Sequence, residues 1–350
     1  MNKFLKEINE QPEALKKTLS FYTEGQGKES LKNIVSIWKT GNYDKILFTG
    51  MGSSYFISYA ATCLLNKHGI TSFAINAGEL LHYQFSLVNK KTLLVCISQS
   101  GESYEIVKIL EKLPQDVTSI GISNEANSTL VKKTKESLLC KAGPEDMTST
   151  KTFTTTYLAT YLLSLSLTGN FNNNTISEIE GAIKTVGDLL DQKDKWLDGA
   201  VKTIAHVPFV QLVGRGAIYA TVSQSALMFM EATRTPASAL YGGEFRHGPM
   251  EMVKEGFRAV VFAPKGITYE QSIVVTQDIL KFGGKLLLIT NEETSIKNEN
   301  LFTIVIPCAN EDLFAIPGVI PMQLIVNQWA VESGNEPGNF TRGAKVTIIE

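Results

Sequence analysis

The feature that most constrains the fold is an order of strand, polar turn and helix that occurs twice, about 165 residues apart. Short apolar runs mark the strands, and they occupy residues 45–49, 92–97 and 117–122, then 210–213, 259–263 and 285–290. Continuous apolar runs are typical of strands covered on both faces, and strands that alternate with helices form parallel sheets. The chain is therefore expected to fold as two α/β lobes, each with a doubly wound, mainly parallel sheet.

The domain organisation follows from these two copies. A chain of 350 residues is longer than one typical core, which agrees with two lobes. The polar run 170–175 (NFNNNT) is expected to interrupt helical structure between them. We expect an N-terminal helical segment over 1–43, the first lobe over 44–169, a linker helix over 170–198 and the second lobe over 199–350.

Charge and hydropathy exclude two classes of partner. The formal net charge is -2, and the chain has no basic stripe or acidic tail, so nucleic acid is not an expected partner. The charged N-terminus lacks the pattern of a signal peptide. The longest apolar stretch, residues 157–167, is short and contains Ser164 and Ser166, which favours a buried helix over a membrane span. We expect a cytoplasmic protein with no membrane partner.

The cysteines give no sign of a metal centre. Cys63, Cys96, Cys140 and Cys308 are scattered, form no CxxC motif and do not cluster with the histidines. They are interpreted as small buried apolar side chains of a cytosolic protein. No metal and no cofactor are expected.

Two hydroxyl-rich turns follow strands of the first lobe and precede helices. Their candidate binding residues are Gly52, Ser53 and Ser54 in one turn, and Ser98, Gln99, Ser100 and Ser103 in the other. Free backbone N–H groups and the helix dipole favour an anion at such a point without any lysine. The alternative is a serine that merely caps its own helix. Because both turns should lie at the carboxyl edge of one sheet, where such folds bind ligands, a phosphate site is favoured.

Three further side chains are candidates for chemistry, and none is specific alone. His247 lies between Gly-rich and proline-containing segments on a loop, where a histidine is able to exchange protons with a substrate or is simply a surface side chain. Glu231 ends an otherwise apolar helix face, so it is either a usable base or a solvated helix end. Lys345, near the C-terminus, is either functional or an ordinary exposed lysine.

Taken in order, these motifs resemble the sugar isomerase (SIS) family, which includes the isomerase half of glucosamine-6-phosphate synthase. SQSGES at 98–103, STKTFT at 149–154 and RHGP at 246–249 carry the resemblance, which covers nearly the whole chain. It implies two tandem SIS lobes with flavodoxin-like sheets. It also implies that the two serine turns hold a sugar phosphate and that Ser149 lies beside the sugar.

The resemblance assigns roles to the remaining candidates. His247 would assist opening of the sugar ring, and Glu231 would move a proton between C1 and C2 through an enediol or enamine. Lys345 would stabilise the open-chain carbonyl or form an imine with it. In relatives the histidine loop comes from the neighbouring subunit, which implies a homodimer with shared active sites.

Some residues depart from the synthase pattern. Met1 leads directly into an isomerase-type lobe, so glutamine-driven synthesis is not expected of this chain alone. Gln224 and Met228 stand where the synthase has a glutamate and a lysine, and the segment 338–342 also differs. The C1–C2 end of the substrate is therefore expected to be contacted differently.

Several functions stay open at this point. A ketose–aldose isomerase, an amino-sugar-phosphate deaminase and a fructosamine-6-phosphate deglycase all need the same proton transfer. SIS lobes also serve as non-catalytic sugar-phosphate sensors in regulators. Since Glu231, His247 and Lys345 are all present and no separate basic N-terminal domain is, an enzyme is favoured over a sensor.

Overall fold

A computed structural model describes residues 1–342 and 344–345, which fold into two compact units. The N-terminal unit contains Glu10–Ser177 and the described residues of the tail from Thr341. The C-terminal unit contains Met1–Asn9 and Glu178–Phe340. Each unit is thus completed by a short segment from the opposite end of the chain.

The bounds of the regular elements are as follows. The strands are β1 (Lys45–Gly50), β2 (Ser72–Asn76), β3 (Thr92–Ile97), β4 (Thr118–Ser123), β5 (Glu136–Leu139), β6 (Val210–Gly214), β7 (Ala237–Tyr241), β8 (Arg258–Ala263), β9 (Lys285–Thr290) and β10 (Leu301–Val305). The helices are α1 (Lys3–Asn9), α2 (Gln11–Thr23), α3 (Gly27–Thr40), α4 (Ser53–Lys67), α5 (Ala77–His82), α6 (Tyr104–Lys112), α7 (Thr129–Lys133), α8 (Lys151–Thr168), α9 (Asn173–Asp191), α10 (Leu197–Ile204), α11 (Tyr219–Met228), α12 (Gly242–Arg246), α13 (Tyr269–Lys281), α14 (Ala315–Gly318) and α15 (Ile320–Glu332).

Each unit contains one parallel five-stranded sheet with the same strand permutation. The order is β2-β1-β3-β4-β5 in the N-terminal unit and, read from the other edge, β7-β6-β8-β9-β10 in the C-terminal unit. All neighbouring strands are parallel. The prediction of two doubly wound parallel lobes from a duplicated unit is confirmed. In each sheet the strand order reverses between the first and third strands, which is where such sheets bind ligands.

The apolar stretch 157–167 forms part of α8, the central helix of the N-terminal unit. Apart from Ser166 and Thr168, every residue of α8 is buried, as expected for a helix that is apolar all round. Several of its buried hydroxyls make hydrogen bonds within the protein, for example from Ser164 Oγ to the Thr160 carbonyl oxygen at 2.9 Å, whereas the buried Thr160 hydroxyl has no partner in the described residues. The prediction of a buried helix is confirmed. None of the helices in the described part of the chain combines the length and hydropathy of a bilayer-crossing segment.

Two local expectations are wrong in detail. The polar run 170–175 does enter a helix, because Asn172 Oδ1 accepts hydrogen bonds from the backbone N–H groups of Asn174 (2.9 Å) and Thr175 (3.3 Å) and so caps α9. The helix on which Glu231 is expected is instead a short 3₁₀ turn, the helix α11 and a π-helical turn over Phe229–Thr233, and Glu231 lies in the last of these. The π-turn changes which way its side chains point.

Candidate active site

The two serine turns of the N-terminal unit lie side by side. Strands β1 and β3 are paired in register, with Thr49 opposite Cys96, so the turns that follow them start at the same edge of the sheet. This is the position at which the strand order reverses. The helices that follow, α4 and α6, both begin without a side-chain cap on their first N–H groups. The turns therefore present two uncapped helix N-termini at the expected ligand position.

The hydroxyls of the second turn shape the turn and do not cap its helix. Ser103 precedes α6, yet its Oγ lies 3.0 Å from Ser98 Oγ and makes no capping bond. Ser98 Oγ also accepts a bond from the Gly101 N–H at 3.1 Å, and Ser100 Oγ accepts one from the Glu102 N–H at 3.2 Å. The capping alternative does not describe Ser103. The first N–H groups of α6 stay available to a ligand.

Gly101 is required by this turn for two reasons. Its φ is +66°, a conformation that residues with a Cβ adopt at a cost. A Cβ at this position would also lie 2.2 Å from Ser128 Oγ. The backbone thus approaches α7 closely, and Leu130 N–H donates to the Gly101 carbonyl oxygen at 3.1 Å. Residues 98–103 form a fixed loop, because its ends and its centre are all tied to neighbouring elements.

The first turn offers hydroxyls that the protein itself does not use. Gly52 takes a positive φ of 49° and lets the chain enter α4 directly. Ser53 and Ser54 are both half-buried, and neither hydroxyl makes a hydrogen bond within the described residues. A partly accessible hydroxyl without an internal partner is suited to an anionic ligand. Gln99 is also half-buried, and its backbone carbonyl oxygen accepts from Ser123 Oγ at 3.1 Å.

The counterpart of the second turn in the C-terminal unit is already occupied by the protein. This turn follows β8 and precedes α13, as 98–103 follows β3 and precedes α6. Glu311 lies against it: a Cβ on Gly266 would come within 2.1 Å of the Glu311 carboxyl carbon, and Glu311 Oε2 accepts from the Ile267 N–H at 3.3 Å. A carboxylate of the chain thus takes the place that an anion would occupy. Of these two corresponding turns, only the one in the N-terminal unit is open to an anion.

Glu231 lies in the π-helical turn that follows α11. The turn spans Phe229–Thr233 and ends at Arg234, which has a left-handed φ of 60°. Phe229, Ala232 and Thr233 are buried, whereas Glu231 is half-buried and has interaction partners in the structure. Single π-turns inside helices are frequent at functional sites, since they change the direction of one side chain at a cost in helix geometry. Glu231 is neither a core residue nor a freely solvated helix end.

His247 lies on an exposed tight turn of the C-terminal unit. It ends α12, and Gly248 after it has a φ of 126°, which glycine adopts readily. Pro249 then begins a 3₁₀ turn. The Arg246 side chain anchors this region through an ion pair with Asp278 on α13. The imidazole is exposed and makes no side-chain hydrogen bond within the described residues, so its protons are open to a ligand or another chain.

The glycines before His247 make room for an arginine. A Cβ at residue 242 would lie 2.6 Å from Arg215 Nε, so only glycine permits the guanidinium to pack against the start of α12. Arg215 follows β6, and β6 pairs with β7 next to it, with Gly214 opposite Tyr241. Tyr241 in turn stacks on Tyr219 with ring centroids 3.7 Å apart. The side chains of Arg215 and Tyr219 therefore pack against the start of the segment that leads to His247.

Lys345 binds a residue that the sequence analysis did not identify. Its Nζ lies 2.8 Å from Glu145 Oε2, 2.6 Å from the Glu145 carbonyl oxygen and 2.7 Å from the Met147 carbonyl oxygen. The alternative of an ordinary exposed lysine is wrong, because only 20% of its side chain is exposed. Ser149 lies two residues beyond Met147, and its Oγ is 2.8 Å from Thr152 Oγ1. The structure thus places Lys345 at the segment that contains Ser149.

Three of the four cysteines are buried, as predicted, and their pKa values are raised. Burial raises the pKa of the Cys96 and Cys140 thiols to about 12 and that of Cys308 to about 11. Cys63 is half-buried. In the described part of the chain, no three His, Cys, Asp or Glu side chains lie together as ligands of a metal ion would.

Known sequences resemble this chain over nearly its whole length. A family model described as SIS domain matches residues 42–166 and 204–333. A glutamine–fructose-6-phosphate aminotransferase (isomerizing) from Pyrococcus horikoshii is 31% identical over 353 residues, which cover 99% of this chain and 57% of the relative. The enzyme of the same name from Thermococcus kodakarensis is 25% identical, with 99% and 58% covered. The chain spans a little more than half the length of these curated relatives.

Solved structures share the fold over nearly the whole chain. The C-terminal domain of glucosamine-fructose-6-phosphate aminotransferase from Francisella tularensis has a TM-score of 0.85 and 25% identity, and the match covers 97% of this chain and 98% of that domain. A tagatose-6-phosphate ketose/aldose isomerase from Escherichia coli has a TM-score of 0.83 at 20% identity, with 96% and 94% covered. A glucosamine-6-phosphate deaminase from Thermotoga maritima has a TM-score of 0.76 at 23% identity, with 99% and 100% covered.

Proposed function

The chain belongs to the SIS domain family, and on this premise we propose that it transfers a proton between C1 and C2 of a hexose 6-phosphate or amino-hexose 6-phosphate. The observation that carries the proposal is the pair of serine turns at the strand-order reversal of the N-terminal sheet. They combine uncapped helix N-termini with hydroxyls that have no internal partner. The curated relatives that the chain matches act on fructose 6-phosphate by name, which agrees with a phosphate ligand here.

The phosphate is bound without a lysine or arginine in these turns. The N-termini of α4 and α6 supply N–H groups and partial positive charge. Ser53, Ser54 and Ser100 supply hydroxyl donors. Since these groups contact a part of the substrate that does not change during the reaction, they contribute to binding equally before and during it. Removal of one of these groups is therefore expected to raise KM more than it lowers kcat.

Glu231 is the proposed base. The substrate proton at C2 is not acidic, so its removal needs a positioned carboxylate, which then returns the proton at C1. Two observations support this role: Glu231 is half-buried beside the buried Phe229 and Ala232, and it lies in a π-helical turn, a feature that is frequent at functional sites. An enediol arises from a sugar with a carbonyl oxygen, and an enamine from a sugar with an amine. The same proton transfer serves both.

His247 is the proposed proton carrier for ring opening, acting on a neighbouring copy of the chain. Ring opening moves a proton from the anomeric hydroxyl to the ring oxygen, which an imidazole is able to do with its two nitrogens. The exposed imidazole, free of side-chain hydrogen bonds in the described residues, supports a role toward another chain. A homodimer with shared active sites follows from this assignment. Lys345 is proposed to supply positive charge, or an imine, at the open-chain carbonyl.

The protein beneath Glu231 on α11 is uncharged, and we propose that this neutral environment lies behind the C1–C2 end of the substrate. Gln224 and Met228 are both fully buried and carry no charge. An amide and a thioether thus stand where the synthase has a glutamate and a lysine. This change supports an isomerase, deaminase or deglycase reaction over ammonia transfer from a glutaminase.

A substrate panel tests the proposal directly. Purified protein is incubated separately with glucosamine 6-phosphate, with fructose 6-phosphate plus ammonia, and with a fructosamine 6-phosphate, and the sugar products are separated. Turnover of one of these at a rate that saturates with substrate is expected. Absence of turnover on every hexose 6-phosphate in the panel, with the protein folded and phosphate-binding, would overturn the enzymatic assignment.

A further inference from the structure

A single buried carboxylate, Glu145, organises much of the segment around Ser149. Its side chain has no solvent exposure. Oε1 accepts hydrogen bonds from the Thr150 N–H, the Thr150 hydroxyl and the Thr152 N–H, each at 3.0 Å. Oε2 accepts from the Thr152 hydroxyl at 2.5 Å and from Lys345 Nζ at 2.8 Å. Burial of an ionised carboxylate is tolerated only with such complete pairing.

The first effect of Glu145 is to cap α8. Thr150 precedes the helix but makes no capping bond of its own, and the first turn contains no acidic residue. Glu145 takes over both tasks, since it accepts the N–H groups of Thr150 and Thr152 at the start of the helix and places negative charge at the positive end of the dipole. Because Ser149 Oγ is bonded to Thr152 Oγ1, the cap also fixes the position of Ser149.

The second effect is to hold Lys345. An ammonium group has three N–H donors, and Lys345 Nζ has three acceptors: Glu145 Oε2, the Glu145 carbonyl oxygen and the Met147 carbonyl oxygen. All donors are thus used within the protein. A fully hydrogen-bonded ammonium has neither a lone pair for attack on a carbonyl nor a spare N–H for it.

We infer that Glu145 is a positioning residue of the active site, which orders the Ser149 segment and holds Lys345 as an unreactive ammonium until substrate binds. The inference rests on the proposed function for the roles of Ser149 and Lys345. The restraint of Lys345 by Glu145 does not depend on it. The geometry thus assigns a role to a residue that touches no substrate atom and acts through two others.

Amine labelling tests the restraint without any assay of activity. The protein is reductively methylated with formaldehyde and cyanoborohydride, and the rate at each lysine is followed by peptide mass spectrometry. In the wild type, Lys345 is expected to react at least about tenfold more slowly than the exposed Lys28, because its amine is occupied. In Glu145→Gln the rate at Lys345 is expected to rise at least about fivefold, since the neutral amide holds the ammonium less strongly.

Two internal controls distinguish release of Lys345 from loosening of the fold. Lys28 should keep its rate in both proteins. Lys151, whose side chain is 5% exposed and lies 2.5 Å from Glu10, should stay slow in both. Equal rates at Lys345 in the wild type and Glu145→Gln would overturn the inference, as would a wild-type Lys345 as fast as Lys28. If Glu145→Gln does not fold, Glu145→Asp takes its place in the test. Because Asp keeps the charge but is shorter, the labelling rate at Lys345 should rise measurably but less than about tenfold.

Kinetics on the substrate found in the panel test the positioning role. Glu145→Gln is expected to lower kcat at least about tenfold while KM for the sugar phosphate changes less than about threefold, because the phosphate turns are separate from Glu145. Glu145→Asp should recover part of kcat. Faster labelling with an unchanged kcat would overturn the positioning role. If the wild type turns over no sugar phosphate, the proposed function fails, and the labelling rates still decide whether Glu145 restrains Lys345.

Discussion

Lys345 Nζ lies 2.8 Å from Glu145 Oε2, although 200 residues separate the two in the sequence. The contact joins the described residues of the C-terminal tail to the rest of the N-terminal unit. Of the two side chains, Glu145 is fully buried and Lys345 largely so. A buried pair of this kind costs much when one partner alone is removed, because the other charge stays buried.

A double-mutant cycle on this pair tests the energetic coupling. Lys345→Met is expected to lower the free energy of unfolding by about 3 kcal/mol, because it leaves the Glu145 carboxylate without its cation. In a Glu145→Gln background the same change should cost less than about 1 kcal/mol, since no buried charge remains. Urea unfolding of the four proteins measures the difference. Additive effects of the two changes would contradict a direct interaction.

Replacement of Ser100 by alanine tests the phosphate assignment. Loss of one hydroxyl bond to a charged phosphate is expected to raise KM about tenfold and to leave kcat nearly unchanged. The matched control is Thr268→Ala, which removes a hydroxyl at the counterpart turn, where Glu311 already occupies the anion position. Steady-state kinetics and direct phosphate binding measure both. A phosphate that binds at residues 264–268, or a larger effect of Thr268→Ala, would show that the wrong turn was assigned.

Mixing of two inactive variants tests the shared site. Glu231→Gln and His247→Ala are each expected to lose most activity as separate proteins. If one chain supplies the base and its neighbour supplies the histidine, mixed dimers contain one intact site, and up to about a quarter of wild-type activity should return after subunit exchange. The activity of each variant exchanged with itself is the control. Full activity of the wild type as a monomer in sedimentation would contradict the homodimer.

Thiol modification tests the burial of the cysteines. With a pKa of about 12, Cys96 and Cys140 are thiolate in only about one molecule in ten thousand at pH 8, and the thiolate is the reactive form. A thiol reagent is therefore expected to label the half-buried Cys63 first. Peptide mapping measures the order, and Cys63→Ser should remove the fast phase. Labelling of Cys96 or Cys140 before Cys63 in the folded protein would contradict the described packing.

The sequence predicted the inner strands of both sheets and missed the outer ones, for a physical reason. The inner strands β1, β3, β4, β6, β8 and β9 are buried on both faces and therefore read as continuous apolar runs. The outer strands β2, β5, β7 and β10 are half-exposed along most of their length. In β2, β5 and β7 the apolar residues alternate with polar ones, are few or are small, and in β10 Thr303 interrupts the apolar run, so none of the four has a continuous apolar run.

The sequence provided candidate residues for the site, but it revealed neither their geometry nor the role of Glu145. The π-turn at Glu231 has the same apolar pattern as an α-helix, so periodicity does not reveal it. Glu145 was missed because it lies in the irregular segment AGPEDMTS, where no repeat directs attention to a carboxylate. One signal was available: the long apolar helix after residue 150 has no acidic residue in its first turn, and a buried helix N-terminus needs an acceptor from elsewhere.

Hydrogen exchange at the sugar tests the central claim most directly. The wild type is incubated with its sugar phosphate in deuterated water, and deuterium at C1 and C2 is followed by NMR together with product formation. The account predicts turnover with incorporation of deuterium, and a fall in both of at least about a hundredfold in Glu231→Gln, since an amide cannot accept the proton. The exposed Glu270→Gln is the control and should match the wild type. Tight binding of several sugar phosphates by the wild type, with neither turnover nor exchange, would contradict the account and identify a sensor. Turnover by Glu231→Gln at the wild-type rate would show that another residue is the base.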